Sequence, residues 1–412
     1  MPLNSEFQAV LASIVRPIYA ADLPDNLDMM RHWLEQLGLS KPAYPIIAVA
    51  GSVGKGSAAL SLAHHFSKVY RRVGLYTSPH LHSFRERFQI DGEMISQKSF
   101  AFHASKVIAL TQKDTLQPST FEAATLIAFD WFAAEQIDLA ICEIGMGGRF
   151  DAVNALPNQL AVFTSVELEH AAALGGTLET IAWHKIGILQ PEGTGISLPQ
   201  SPPAQRVFKQ EAALLGAALI EASDLPDMLK QADRVITARH PAAEQTIPPR
   251  WGKQLPGRME IFRANDHTFI LDGAHTASSA ARLRAYLNTL EQPILLIAAL
   301  LRDKSAAAIL RSFDAPQFRV VLAPLAGHRG AAPGELLNVW QPEYAKVESV
   351  ESVQTAISTA AFAPEPVIAV CGSLRTVALA RETLGLLSAD ALAESHFTRA
   401  LFENDTYLRK IR

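Results

Sequence analysis

The chain is 412 residues long, enough for two domains that each bury a core of their own. With 49% apolar and 19% charged residues its composition is that of a globular protein, and a formal charge of −4 argues against a nucleic-acid partner held by bulk electrostatics. Only two cysteines occur, Cys142 and Cys371, both inside apolar runs, which points away from a disulfide framework and toward a reducing compartment.

In chain order, residues 1–40 read as two amphipathic helices, with Phe7, Val10, Leu11 and Ile14 recurring at helical spacing. IIAVAGSVGKGS follows at Ile46–Ser57: an apolar β-branched run stops at a loop with glycines at 51, 54 and 56, Lys55 and Ser57, and AALSLAHHFSKVY continues as a helix. Strand, glycine loop and helix N-terminus together make a phosphate cradle. Glycines let backbone N–H groups come close to phosphate oxygens, Lys55 supplies a point charge, and Ser57 stands where a hydroxyl meets Mg²⁺. The spacing is G-x-x-G-K-G-S, one form shorter than G-x-x-x-x-G-K-[ST].

Val73–Thr77 reads as a second strand, and Ser78-Pro79-His80 opens a polar, basic loop at the edge where α/β sheets bind ligands. Thr120–Glu135 reads as a helix with Glu122 in a capping position, and the strand IDLAICEIG then ends on Glu143. A carboxylate at a strand end downstream of a phosphate loop suits Mg²⁺ on a nucleotide. Leu160–Val166 is another strand, with His170 just beyond it, where a lone histidine is more often structural than a ligand. Lys185 falls in a helix from Thr177 to Ile188 and reads as an ordinary solvated lysine. Gly195–Leu198 reads as a strand and Ala204–Gly216 as a helix. From Asp224 to Arg250 the pattern weakens into polar, Pro-rich sequence, read as a domain boundary. Beyond it TFILDGAH, PILLIAAL, FRVVLAPL and PVIAVCGSL alternate with helices, which implies a second parallel sheet with covered faces.

Taken together, AGSVGKGS, GLYTSPHLHSFRERFQIDGEMIS, EIGMGGRFDAVN, LEHAAALGGTLETIAWHKIGILQPEG, LPGRMEIF, LDGAH and the Asp303-Lys304 pair of LLRDK resemble, in order, the motifs of the folylpolyglutamate synthase and dihydrofolate synthase family of the Mur ligase superfamily. The resemblance implies an α/β protein with a P-loop-containing parallel-sheet ATPase domain over 1–254 and a smaller Rossmann-like domain over 255–412. It implies an ATP- and Mg²⁺-dependent ligase that joins L-glutamate to a folate or dihydropteroate acceptor through an acyl phosphate. The site it implies has Gly51, Ser52, Val53, Gly54, Lys55, Gly56 and Ser57 around the phosphates, and Arg258, Asp272 and His275 on the nucleotide as the second domain closes. Two metal sites are implied, held by Ser57, Ser78, Glu143 and His170 with a carbamylated Lys185, and catalysis falls to Lys55, His170 and Lys185.

The family's Thr-Asn, Asp-His and His-Asn pairs are here Ser52-Val53, Glu169-His170 and His275-Thr276, and the stretch from Asp224 to Pro256 is short and without the usual Gln/Asn-x-x-Asn-Ala helix. Two other readings therefore stay open: a ligase for a different acid and amine, and a nucleotide-binding scaffold with impaired catalysis. The expected partners are small-molecule substrates, with neither nucleic acid nor membrane. The chain is expected to be a monomer. MPLNSEFQAVLASIVRP lacks a basic start followed by an apolar core, and no apolar run is long enough for a bilayer, so the expected location is the cytoplasm.

Overall fold

The computed structural model describes residues 3–16, 27–240, 251, 254–264, 266–302, 306–327 and 330–403. It divides into two compact units, Met1–Lys253 with Phe397–Arg412, and Gln254–His396.

The first unit contains α1 (Ser5–Ile14), α2 (Asp28–Gln36), β1 (Ile46–Ala50), α3 (Lys55–Phe66), β2 (Val73–Tyr76), β3 (Phe88–Ile90), β4 (Glu93–Met94), α4 (Gln97–Thr111), α5 (Thr120–Ala134), β5 (Leu139–Glu143), β6 (Leu160–Phe163), α6 (Leu178–Ile186), β7 (Thr194–Ser197), α7 (Pro202–Leu214), β8 (Ala218–Glu221) and α8 (Leu225–Arg239). Its sheet runs β4-β3-β2-β5-β1-β6-β7-β8. From β2 to β8 the pairing is parallel, and β1 and β5 are buried at every position because helices cover both faces. At the far edge β3 pairs antiparallel with β2 and with β4. The sequence reading had placed only a loop there. β1 sits between β5 and β6, where the connections diverge, so the loop after it faces the crevice that such sheets offer to ligands.

The polar run from Asp224, read as a domain boundary where the pattern weakens, begins with a helix. Asp224 caps it by accepting from Asp227 N–H at 2.9 Å, a proline stands in its first turn, and Met228, Ala232 and Ile236 bury one stripe. A helix therefore does occupy this region, without the Asn-Ala pair of the family pattern. Residues 241–250 lie outside the described residues.

The second unit contains β9 (Glu260–Ala264), β10 (His267–Leu271), α9 (Ala277–Asn288), β11 (Ile294–Ala298), α10 (Ala306–Arg311), β12 (Phe318–Leu322), α11 (Pro333–Val339), β13 (Lys346–Ser349), α12 (Val353–Ala360), β14 (Val367–Cys371) and α13 (Leu374–Thr383). Its sheet, β13-β12-β11-β14-β10-β9, is parallel as expected except for β9, which pairs antiparallel with β10. Asp303 and Lys304 lie outside the described residues.

The last helix, α14 (Ala389–Glu403), begins in the second unit and ends in the first. Phe397, Leu401 and Phe402 pack on the first unit's core, and the Phe402 ring stacks on Phe84 with centroids 5.8 Å apart. The second unit is thus an insertion in the first, whereas the reading from sequence assigned all of 255–412 to the second domain. No helix among the described residues is long and apolar enough to cross a membrane, and both cysteines are buried free thiols.

Candidate active site

The loop after β1 is shaped by what surrounds it. A Cβ at Gly51 would lie 1.9 Å from Thr164 Oγ1, so only glycine fits between the two strand ends. Gly54, the N-cap of α3, has φ +86°, in the left-handed region. Helix α3 starts at Lys55, which leaves its first N–H groups without intrahelical acceptors at the loop. Ser52, buried, fastens the loop to the segment after β6: its N–H donates to Ser165 O at 2.9 Å and its Oγ donates to Glu167 O at 3.0 Å. Val53 is half-buried, and Ser57, in the first turn of α3, is exposed. Lys55 Nζ folds back onto Ser52 O at 3.3 Å.

Beneath this loop lies Lys185. It is 2% exposed, and its Nζ donates to Gly51 O at 2.7 Å. Burial first, and then the like charge of Lys55, push its ammonium down to about 7, against the pull of Glu169 and Asp151. The expectation of a solvated helical lysine is overturned. Helix α6 brings it inward because the Gly-rich loop after β5 packs on that helix: a Cβ at Gly148 would lie 2.8 Å from His184 O, and Arg149 N–H donates to His184 O at 2.7 Å.

That loop is drawn tight by Asp151, which sequence reasoning passed over. Its Oδ2 accepts from the N–H groups of Gly145 and Met146, each at 3.0 Å, and its Oδ1 from Val153 at 3.0 Å. Burial raises its carboxyl to about 7 against these three donors and Lys55. The signal for it was an acid placed six residues after a glycine, at the cap of a short 3-10 turn.

Glu143 ends β5, buried, beside Val49 of β1 in register, and its Oε2 accepts from Ser78 N–H at 2.8 Å. The strand-end carboxylate and the loop after β2 therefore meet. His170 has φ +53° and a side chain 45% exposed, with Nε2 3.8 Å from Glu169 Oε1. Among the described residues no three His, Cys, Asp or Glu side chains converge on a metal-sized point. What the structure brings together is the Glu143 carboxylate, an oxygen donor of the kind a hard cation takes, and the loop that carries Ser78.

Arg258, Asp272 and His275 all belong to the second unit. Asp272 follows β10 and accepts from Met259 N–H at 2.7 Å; burial raises its carboxyl while that bond and Arg258 oppose the shift. A Cβ at Gly273 would lie 2.9 Å from Arg258 Nη1, so the guanidinium lies over the loop. His275 Nδ1 is 2.7 Å from Gly273 O, which assigns its proton to Nδ1 and leaves Nε2 as the acceptor of the neutral ring. Thr276, where the family has asparagine, caps α9 by accepting from Ser279 N–H at 3.2 Å.

Residues 257–374 match the family model "Mur ligase, glutamate ligase domain". A Schizosaccharomyces pombe protein described as a probable folylpolyglutamate synthase is 31% identical over 342 residues, 71% of this chain and 68% of that one. Among solved structures, the bifunctional folylpolyglutamate synthase/dihydrofolate synthase of Yersinia pestis with AMPPNP and Mn is similar, with a TM-score of 0.79 and 26% identity over 89% of this chain and 95% of that one. Escherichia coli FolC with DHPP and ADP is also similar, with a TM-score of 0.79 and 26% identity over 92% of this chain and 98% of that one.

Proposed function

Because the chain belongs to the folylpolyglutamate synthase family, we propose that it is an ATP- and Mg²⁺-dependent ligase that joins L-glutamate to a folate or dihydropteroate acceptor. The acceptor carboxylate attacks the γ-phosphorus of ATP and ADP leaves; the glutamate amine then attacks the acyl phosphate, phosphate departs and an amide remains. The observation that carries this reading is the pairing of Lys55 with the buried Lys185 about one phosphate loop.

The loop Gly51–Ser57 cradles the phosphates with the N–H groups that face the helix start, the Ser52 N–H being held by Ser165 O, and Lys55 is the charge that meets the transferring phosphoryl group. Ser57, Ser78, Glu143 and His170 would hold Mg²⁺ at two sites, Glu143 being aimed by the Ser78 N–H. When bound, the metal neutralises charge on the phosphate oxygens. Lys185 serves as a carbamate. Carbon dioxide adds only to a neutral amine, and burial beside Lys55 already brings the amine to about 7, so much of it is neutral at ordinary pH. Arg258, Asp272 and His275 contact the nucleotide. The protein acts as a cytoplasmic monomer on small molecules.

The test is ADP release measured with L-glutamate and, in turn, dihydropteroate, tetrahydrofolate and unrelated acids. Release that needs both glutamate and a pterin acceptor is expected. Release with an unrelated acid alone would give the site to another substrate, and nucleotide binding without turnover would leave a scaffold.

A further inference from the structure

The segment after β6 carries Glu167, Glu169 and His170 and is anchored from two directions. The phosphate loop supplies one anchor: Ser52 Oγ donates to Glu167 O at 3.0 Å and accepts from Glu167 N–H at 2.9 Å. The other is Gln200, between β7 and α7. Its Oε1 accepts from Val166 N–H at 2.9 Å, and its Nε2 lies 3.0 Å from Thr164 O, 3.0 Å from Leu198 O and 3.1 Å from Ser197 Oγ. An amide is the one short side chain that offers an acceptor to an N–H and donors to two carbonyls from a single planar group. A carboxylate in its place would keep Val166 satisfied but face the oxygens of Thr164 and Leu198.

Both ends of Thr164–Glu167 are thereby fixed before the chain reaches His170. That residue has φ +53°, a left-handed backbone that a non-glycine residue keeps only when its surroundings over-determine it. The carbonyl of His170 in turn accepts from Ala173 and Leu174 N–H at 2.9 and 3.0 Å, which closes the turn behind it.

We propose that Gln200 is a positioning residue for the nucleotide–metal site: by tying Thr164 and Val166 to the end of β7 it sets where His170 stands relative to the phosphate loop. This rests on the reading of His170 as a metal ligand, and it assigns the aim of that ligand to a side chain thirty residues away on a different strand end.

The full-length protein is compared with Gln200→Glu, Gln200→Met and, as a reference, His170→Ala. Three quantities are read: ADP affinity without metal, Mn²⁺ affinity of the AMPPNP-bound protein by electron paramagnetic resonance, and amide exchange at Val166. Both Gln200 variants should hold metal-free ADP within about twofold of the parent and weaken Mn²⁺ by about tenfold or more, as outer hydrogen-bond partners of metal sites do, and Gln200→Met, which alone removes the acceptor, should exchange faster at Val166. Parent-like Mn²⁺ affinity in both Gln200 variants, with His170→Ala weakened, would overturn the proposal and leave the metal reading intact. Parent-like Mn²⁺ affinity in His170→Ala would overturn both. Equal loss of metal-free ADP and Mn²⁺ affinity in both Gln200 variants would make Gln200 a general prop and also overturn it.

Discussion

An ammonium buried under a loop that already holds Lys55 is costly, and for Lys185 the cost is readable against pH. An unfolded lysine keeps its proton to about 10.5, whereas folded Lys185 releases it near 7. Between these values the unfolded chain binds more protons, so this group makes stability rise with pH, and below about 7 its full burden is present. Lys185→Met removes the burden. In urea unfolding without bicarbonate, stability of the variant relative to the parent should fall as pH goes from 6 to 10. A constant difference would mean that the amine is not perturbed. The same residue tests the carbamate: Lys185→Ala should lose activity and regain part of it with a small added carboxylate, while Lys185→Arg stays inactive because its charge has the wrong sign. For Lys55, turnover of Lys55→Ala at saturating ATP should drop about a hundredfold or more, the loss typical when one charge-stabilising group is removed. Turnover near the parent's would take the loop out of the chemistry. Lys55 and Glu143 were legible because strand, loop and residue type lie together in the chain. Lys185 was not, since what buries it is a carbonyl 134 residues away.

At the level of elements, the loop between β1 and α3 is held by a shape constraint that can be relieved. Gly51→Ala puts a methyl group on Thr164 Oγ1 at a φ of +146° and should abolish ADP binding; adding Thr164→Ala removes the contact and should restore part of it, the backbone penalty remaining. No gain in the double variant, measured by ADP titration, would show that backbone conformation alone decides. Parallel strands such as β1, β5 and β11 were readable from sequence because burial on both faces makes them continuous apolar runs. The short strands β3 and β4 were missed because runs of three and two residues carry too little periodicity to read and gain their identity only from pairing. Helix α8 was missed because its one apolar stripe sits among charged residues and runs on into a Pro-rich tail.

At the scale of the molecule, each unit has a core of its own, but the first borrows from beyond the second. Phe402 is half-buried on Phe84, so Phe402→Ala should cost the first unit about 1–2 kcal/mol, the transfer value for an aromatic only partly removed from water. Amide exchange of β1 and β5 reports the first unit's opening and that of β11 and β14 the second's, and the variant should speed exchange in the first pair and leave the second in place. Faster exchange confined to β11 and β14 would contradict the insertion. Nothing in the amphipathic pattern of residues 389–403 announced this, because the pattern reports that a face is buried and not against what. The return of the helix also has a consequence in time. A ribosome reaches Lys253 long before Phe397, and at about 5–20 residues per second the interval is roughly seven to thirty seconds. Through that interval the surface around Phe7 and Phe84 waits uncovered while the inserted unit is made, so a nascent chain has an apolar patch to shield that the finished protein does not display.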